Sequence, residues 1–291
     1  MKTVASRVNA PLAATSPEME YRNCCHKGNG YLMDRIGEYY RVPDDFAMHT
    51  YLTQRLQADS VDYAIRHLRR HRGICMGTLY WQINDCWPGI SWSSIDYDGR
   101  WKALQYAAKE FYAPHLLILT EEAGNVTVSV ANETAAPFVG VVKWRLLKND
   151  RTVLDSGAFA VDMAAWSATD IGVCDFTSLS DEEKRTCVVA ATLYNDKGWA
   201  VSEQVVRFVK AKDFCYLPPH ITASFSNDGH VLTLQAEAFA DGVWLEFGHT
   251  DCVFSRNGFS LAGEPVSLVL SRIEGTPTLE DLTILCLNDT M

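Results

Sequence analysis

The spacing of apolar and polar positions changes character at Pro114. Before that residue, apolar side chains recur at helical spacing, whereas after it they alternate in short runs separated by turn residues. The first part predicts helices over 29–41, 44–70 and 101–112. The helix over 44–70 ends in the basic sequence RHLRRHR, which we expect to be a solvated cationic helix end.

Between the second and third predicted helices lies ICMGTLYWQI, a nearly continuous apolar run over 74–83. Continuous apolarity is typical of a strand that is covered on both faces, as in a parallel sheet or a barrel. A loop rich in proline, glycine, serine and aspartate follows over 85–100. The order helix, strand, loop, helix predicts a short α/β segment.

After Pro114, short strand candidates follow one another with turn signals between them. The first group predicts an immunoglobulin-like sandwich over 115–212 and consists of HLLILT, NVTVSVA, FVGVVKWRLL, TVLDSGAFAV, WSATDIGV, TCVVAATLY and VSEQVVRFV. After Leu-Pro-Pro at 217–219 the pattern restarts with HITASFS, HVLTLQAEAF, GVWLEFG, SLVLSR and LTILCLN. This second group predicts a smaller β-sandwich over 213–291. The expected fold class is therefore mixed, with an α/β segment over 16–114 followed by two all-β sandwiches, and residues 1–15 form an irregular leader.

Composition narrows the possible partners. The 291 residues are 47% hydrophobic and 21% charged, which is ordinary for a globular protein, and the net charge is −10. An acidic chain lacks the cationic face that nucleic acids and anionic membrane surfaces require, so we expect neither partner. No apolar run approaches 18 residues and no signal peptide is visible, which favours a cytoplasmic location. Nine cysteines without a CxxC pair predict free thiols and not a disulfide framework.

No sequence motif predicts a metal ion or an organic cofactor. The eight histidines are dispersed. His67 and His71 have the i, i+4 spacing of a helical metal site, but no third ligand is evident. We therefore expect no metal and no cofactor.

Tryptophan is concentrated in one segment. Four of the eight tryptophans lie within twenty-one residues, as Trp81, Trp87, Trp92 and Trp101, beside asparagine, aspartate and glutamine. Aromatic rings that stack on pyranose faces, together with amides and carboxylates that bind hydroxyls, are what a sugar site needs. The alternative is that these tryptophans fill a core or an interface.

The same segment resembles a known enzyme family. CMGTLYWQINDCWPGISWSSIDYDGRWKALQYAAKEFYAP (75–114) is similar to the end of the catalytic barrel in β-mannosidases of glycoside hydrolase family 2. The helix sequence over 44–72 resembles the helix before the last barrel strand, and FSRNGFSLAGEPVSLVL (254–270) resembles the closing sandwich. The resemblance covers most of 17–291. It implies that 16–114 is the C-terminal remnant of a (β/α)8 TIM barrel whose eighth strand is 74–83.

The resemblance also implies a set of substrate-binding residues. Trp81 matches a tryptophan in the floor of the family's sugar subsite, and Asn84, Asp85 and Trp87 begin the loop over that site. Asp85 could equally hold the loop by bonding backbone amides. The substrate would be a glycan with a terminal β-D-mannose.

Neither catalytic glutamate of the family is expected within this chain. Retaining family members use an acid/base and a nucleophile whose carboxyl groups lie about 5 Å apart. By resemblance both would precede the helix over 44–70, and residues 1–15 contain no glutamate. Glu18, Glu20 and Glu38 do not match the family motif. The chain alone is therefore expected to be inactive, and an upstream barrel polypeptide is its expected partner.

Three alternatives stay open. The chain could derive from a related β-galactosidase, β-glucuronidase or exo-glucosaminidase. It could be a non-catalytic carbohydrate-binding protein whose sandwiches carry a platform of Trp144, Trp166, Trp199 and Trp244, although Trp144 alternates as a core residue would. It could also be a purely structural partner that completes a separately encoded barrel.

Overall fold

A computed structural model describes residues 2–9 and 11–291. Five helices precede the sheets: α1 (Lys2–Ala5), α2 (Pro17–Tyr21), α3 (Gly28–Tyr39), α4 (Phe46–Arg70) and α5 (Ala103–Phe111). The three predicted helices are confirmed as α3, α4 and α5. Helix α4 begins at Phe46 because the Asp45 carboxylate accepts a hydrogen bond from the Met48 N–H at 2.8 Å.

Helix α4 packs against α3, α5 and both sandwiches. Its apolar stripe buries Leu52 against Ile36 of α3 in one cluster, and Ile65 against Leu104 and Phe111 of α5 in another. The cluster around Leu52 extends into both sandwich regions. Burial of this stripe stabilises the helix more than intrinsic propensity does.

The leader is more ordered than the sequence indicates. Apart from Met1 and Ala10, which lie outside the described residues, it forms the short helix α1 and buries Thr3. The Lys2 ammonium donates to the Asp251 carboxylate at 3.0 Å, about 250 residues away in the chain. The prediction of an irregular leader over 1–15 was therefore wrong for its first residues, because the contacts that order them come from the far end of the sequence.

Residues 74–83 do not form the predicted strand. They are extended but join no sheet, and the nearest pairings are isolated bridges that link Ile95 with Asn84 and with Trp101. Only Tyr80 packs into the α4 and α5 cluster, whereas the side chains of Ile74 and Leu79 are 89% and 99% exposed. The prediction was wrong because a strand needs neighbouring strands to pair with, and the described residues place no strand beside this segment.

The first sandwich contains all seven predicted strands. One sheet has the order β1, β2, β5, and the other has the order β4, β3, β6, β7, with a short helix α6 (Asp181–Lys184) before β6. All pairings are antiparallel, and the inward side chains of both sheets form one core. Trp144 packs into that core with its ring 5.8 Å from that of Phe176, as its alternation predicted. The strands are β1 (His115–Glu122), β2 (Asn125–Asn132), β3 (Phe138–Lys148), β4 (Val153–Met163), β5 (Ser167–Asp175), β6 (Cys187–Asn195) and β7 (Ala200–Arg207).

The second sandwich confirms the five predicted strands and adds two short ones that the alternation did not reveal. Its sheets have the orders β12, β10, β14 and β11, β13, β9, β8. The fold class of two all-β sandwiches behind a helical segment is thus confirmed. The strands are β8 (Thr222–Phe225), β9 (Val231–Gln235), β10 (Ala240–Phe247), β11 (Asp251–Phe254), β12 (Phe259–Leu261), β13 (Val266–Glu274) and β14 (Leu282–Leu285), and 3₁₀ turns lie at Ala211–Asp213 and Leu287–Thr290.

The basic end of α4 is an interface, not a solvated helix end. Arg66 and Arg69 are 5% and 8% exposed. The Arg66 guanidinium donates to the Leu117 carbonyl of β1 at 2.5 Å, and Arg69 donates to the carbonyl of Phe111 at 2.5 Å. Arg70 forms a bidentate ion pair with Asp170 of β5. These cations satisfy strand and helix-end carbonyls and so dock the first sandwich onto α4.

A buried ionic cluster joins α4 to both sandwiches. Asp241 of β10 pairs with Arg207 of β7 and accepts hydrogen bonds from Tyr216 at 3.0 Å and Ser260 at 2.9 Å. Burial opposes ionisation of this carboxyl, but the charges of Arg207 and of Arg55 on α4 outweigh it, so the pKa of Asp241 lies below its ordinary value. The charge is therefore retained in the interior because it is paired and fully hydrogen-bonded.

Candidate functional site

The loop after residue 83 folds back along the segment that precedes it. The Ser94 N–H donates to the Gln82 carbonyl at 2.9 Å, and the Ile95 N–H donates to the Ile83 carbonyl at 2.7 Å. The buried Ser94 hydroxyl donates to the Gln105 side chain of α5 at 2.7 Å. These bonds hold the loop to the extended segment and to α5 at once.

Asp85 is a structural anchor of this loop. Its carboxylate is 3% exposed and accepts hydrogen bonds from the Ser93 hydroxyl at 2.6 Å and the Lys102 ammonium at 3.2 Å. Lys102 also donates to the hydroxyls of Ser93 at 2.8 Å and Ser91 at 3.3 Å. Asp85 thus ties the start of the loop to its end, through side chains and not through the backbone amides that the sequence suggested.

Trp87 is held from outside the loop. The Tyr21 ring contacts it edge-on with centroids 6.0 Å apart, and the Arg22 guanidinium lies 5.6 Å from its centroid. Arg22 also donates to the Pro88 carbonyl at 2.8 Å. A Cβ at Gly89 would lie 2.2 Å from the Arg22 carbonyl oxygen, so only glycine allows the loop to approach this closely. The indole is therefore pre-positioned with one face supported.

Trp81 and Asn84 are free to meet a ligand. Trp81 is 75% exposed, and the peptide bond between Trp81 and Gln82 is cis. Asn84 is exposed, and its amide makes one long contact of 3.4 Å to the carbonyl of Asp85. Trp92, half exposed, lies further along the loop, where its carbonyl accepts from Gln57 of α4 at 2.9 Å.

The structure thus separates the four predicted substrate-binding residues into three kinds. Trp81 and Asn84 are exposed, Trp87 is partly exposed and supported, and Asp85 is buried in an ion pair. Sequence reasoning missed the partners that shape the loop. The available signals were the Ser-Trp-Ser-Ser run and the single lysine at the start of α5. Nothing in the local sequence indicates that Tyr21 and Arg22 approach Trp87.

Glu20 and Glu38 are engaged in contacts within the helical segment, and the Cys24 thiol is a weak nucleophile. Glu20 accepts the Asn29 N–H with both oxygens at 3.0 Å, and Glu38 pairs with Arg35 at 2.8 Å. Burial, followed by the nearby charge of Asp85, raises the pKa of the Cys24 thiol, which makes it a weaker nucleophile at neutral pH. Within 2–9 and 11–291, no cluster of side chains has the composition of a metal site, and no helix is long and apolar enough to cross a membrane.

Of the tryptophans in the alternative platform, two are partly buried against the cores and two are exposed. Trp144 packs into the first sandwich, and Trp244 lies 5.8 Å from the Tyr106 ring. Trp166 and Trp199 are more than half exposed, and Arg72 covers one face of Trp166. The four side chains therefore do not act together as one exposed surface.

Comparisons with known families match the two sandwiches. Residues 124–213 match the family described as the mannosidase Ig/CBM-like domain, and 216–290 match an Ig-fold domain family. The β-mannosidase of Mus musculus is 28% identical over 269 residues, which cover 83% of this chain and 30% of that protein. β-Mannosidase A of Aspergillus clavatus is 26% identical over 261 residues, which cover 81% of this chain and 28% of that protein.

Solved structures show the same fold. The β-D-mannosidase from Dictyoglomus thermophilum superposes with a TM-score of 0.85 at 21% identity, over 98% of this chain and 35% of that chain. An exo-chitosanase from Amycolatopsis orientalis superposes with a TM-score of 0.66 at 16% identity, over 99% of this chain and 40% of that chain.

The fold is that of two consecutive immunoglobulin-type sandwiches behind a helical segment with a tryptophan-rich loop. Over this length, the chain is similar to the C-terminal part of β-mannosidases. It spans about 30% of the length of the curated relatives that it matches.

Proposed function

We propose that this chain supplies the last βα unit and the two C-terminal sandwiches of a retaining β-mannosidase, which releases terminal β-D-mannose from oligosaccharides. In this proposal, residues 16–114 complete a catalytic barrel, 115–212 and 213–291 are the sandwiches, and the partner is the remainder of the barrel. The β-mannosidases of Mus musculus and Aspergillus clavatus match 83% and 81% of this chain, which supports this substrate over other β-glycosides.

One observation carries the proposal. The segment 74–83 is extended, uncharged and exposed, with Leu79 and Trp81 presenting 99% and 75% of their side chains to solvent. In the described residues, the backbone N–H groups from Met76 to Ile83 donate to no backbone carbonyl. A soluble chain rarely leaves such a segment uncovered, and neighbouring barrel strands would both pair its backbone and bury its side chains.

The loop residues would then have distinct roles at the sugar. The Trp81 indole would form part of the floor against the axial C–H face of mannose, and Asn84 would hydrogen-bond a hydroxyl. Trp87, supported by Tyr21 and Arg22, would close one side of the subsite. Asp85 would not touch the sugar, because Ser93 and Lys102 already occupy its carboxylate.

Hydrolysis with retention needs two further carboxylates about 5 Å apart, one as acid/base and one as nucleophile. We propose that both lie in the part of the relatives that this chain does not cover. Glu20 and Glu38 are engaged elsewhere, and neither has a carboxylate partner for that chemistry.

The test is hydrolysis of chromogenic β-glycosides. The purified chain is assayed alone and with the polypeptide of roughly 500–600 residues expected to complete the barrel. We expect no turnover by the chain alone, and turnover of the β-mannoside by the complex. Trp81→Ala in the complex should lower kcat/KM at least 100-fold, whereas Trp199→Ala, an exposed tryptophan on a sandwich hairpin, should not change it.

Two results would contradict the proposal. Turnover by the chain alone would show that it holds its own catalytic carboxylates. Preference of the complex for a β-galactoside, β-glucuronide or β-glucosaminide over the β-mannoside would assign it to a different family 2 activity.

A further inference from the structure

A second cleft lies away from the tryptophan-rich loop, between the helices and the second sandwich. It has a volume of about 390 Å³ and is bounded by α4, the start of α5, and the outer face of β10 and β14. Pockets of about 300–1,000 Å³ hold small ligands in proteins. None of Trp81, Asn84, Asp85 and Trp87 lines this cleft.

Three aromatic rings in edge-to-face contact form one wall of the cleft. The ring of Trp101 lies 5.1 Å from that of Tyr106, which lies 5.8 Å from that of Trp244. Tyr106 is buried, and its hydroxyl accepts the Phe254 N–H at 3.3 Å, so the central ring is locked. The two indoles are partly buried against the core of the second sandwich, and both line the cleft. Indoles that are held in place and still line a cleft offer a surface on which a sugar ring can stack.

Polar groups lie beside the aromatic wall. Glu246 of β10 and Thr283 of β14 are paired across the sheet and lie on the same face as Trp244. Within the described residues, the half-buried Glu246 carboxylate has neither a hydrogen-bond partner nor a cation. Gln54 of α4 accepts the Ala103 N–H at 3.2 Å, which orients its amide and leaves the amide N–H groups as donors.

The charged rim is already neutralised. Arg100 donates to both oxygens of Asp251 at 2.9 and 2.7 Å, and Lys2 donates to the same carboxylate at 3.0 Å. These pairs bridge the loop before α5 and the second sandwich, so they hold the two walls together. Glu246 is thus a charged acceptor that is open to a ligand, and its negative charge disfavours acidic ligands.

We propose that this cleft is a binding site for a neutral saccharide, separate from the loop at Trp81. A pyranose ring stacks on the indole of Trp101 or Trp244, one of its hydroxyls donates to Glu246, and another accepts from the Gln54 amide. This arrangement uses the aromatic wall, the unpaired acceptor and the oriented donor together, and it requires neither the barrel nor turnover.

The experiment is isothermal titration of the whole chain with β-1,4-mannotetraose. Glu246→Ala should weaken binding about tenfold, because it removes a hydrogen bond to a charged acceptor. Glu264→Ala, at an exposed carboxylate of the same sandwich, and Trp199→Ala, at an exposed tryptophan of the first sandwich, should leave the affinity unchanged. Trp81→Ala is titrated alongside to test whether the saccharide binds at the loop and not in the cleft. Thermal unfolding of each variant shows whether the fold is intact. Trp244→Phe, which keeps a ring with a smaller stacking face, should bind more weakly than the wild type.

Three outcomes would overturn the inference. The first is no heat of binding by the wild-type chain, and the second is loss of binding in Trp81→Ala but not in Glu246→Ala. The third is binding of tetragalacturonate as tight as that of mannotetraose, because Glu246 should repel its carboxylates. Because binding is measured without hydrolysis, a complex that fails to hydrolyse β-mannosides would not change the binding result. A cleft that fails to bind saccharide would likewise not contradict the proposed β-mannosidase function.

Discussion

At the scale of single residues, the difference between Asp85 and Trp81 shows how neighbouring positions of one motif divide their tasks. Trp81 presents most of its ring to solvent, whereas the Asp85 carboxylate is buried between Ser93 and Lys102. A buried carboxylate costs free energy unless it is paired, so the lysine at the start of α5 is what permits the aspartate in the loop.

Replacement of Lys102 by methionine should therefore destabilise the chain by about 3 kcal/mol, because it leaves the Asp85 charge buried without a cation. The double variant Asp85→Asn with Lys102→Met should be destabilised less than the Lys102→Met variant. Urea unfolding measures both, and Lys197→Met at an exposed hairpin position is the control. If the single and double variants were equally destabilised, Asp85 would not depend on Lys102.

At the scale of elements, local pattern was sufficient for the helices and most strands but not for the segment 74–83 or the end of α4. Helical periodicity and strand alternation act over a few residues and survive without distant partners, as α4 and β1 to β7 show. A buried strand depends on neighbouring strands, and the described residues place no strand beside 74–83. Arg66 finds its carbonyl partner about fifty residues further along the chain, so its burial left no local signal.

The same reasoning limits what the sequence could say of the site. The tryptophan cluster and its resemblance identified the loop, and the exposure of Trp81 and Asn84 is compatible with that prediction. The contacts of Tyr21 and Arg22 with Trp87 bring together segments more than sixty residues apart. Such pairings follow from tertiary packing and not from spacing.

The buried Arg66 and the more exposed ion pair of Arg70 at the end of α4 give a prediction at the scale of elements. Arg66→Met should lower the free energy of unfolding by about 3 kcal/mol. The substitution removes the cation beside Asp62, a carboxyl whose pKa is raised by burial, and it also removes the hydrogen-bond donor to the Leu117 carbonyl. Arg70→Met should cost less than about 1 kcal/mol, because its partner Asp170 is half exposed. Equal losses in chemical unfolding would mean that burial does not set the strength of these contacts.

At the scale of the whole molecule, ionic contacts join parts that are distant in sequence. Asp241 connects α4 to both sandwiches, and Asp251 connects α1 and the loop before α5 to the second sandwich. The first contact is buried and the second is at the surface, so they should respond differently to solvent conditions.

Acid should weaken the surface contact. Hydrogen bonds from Arg100, opposed by burial and aided by Lys2, lower the pKa of Asp251 from 3.8 to about 2. A lowered pKa stabilises the fold above pH 3.8, and that stabilisation declines as the pH falls toward 2, with about half remaining at pH 3. After allowance for solvent screening, the contribution near neutral pH should be about 1 kcal/mol. The stability difference between wild type and Asp251→Asn should therefore narrow between pH 5 and pH 3, and a constant difference would contradict this assignment.

The exposed segment 74–83 determines how the isolated chain behaves in solution. It is uncharged and leaves Ile74 and Leu79 almost fully exposed, so the chain should self-associate at micromolar concentrations despite its net charge of −10. Leu79→Lys with Ile74→Lys should shift sedimentation velocity profiles toward the monomer without lowering the unfolding temperature, because neither side chain supports the core. Leu279→Lys, at an exposed leucine outside the segment, is the matched control. Association that persisted in the double variant would mean that a different surface mediates it.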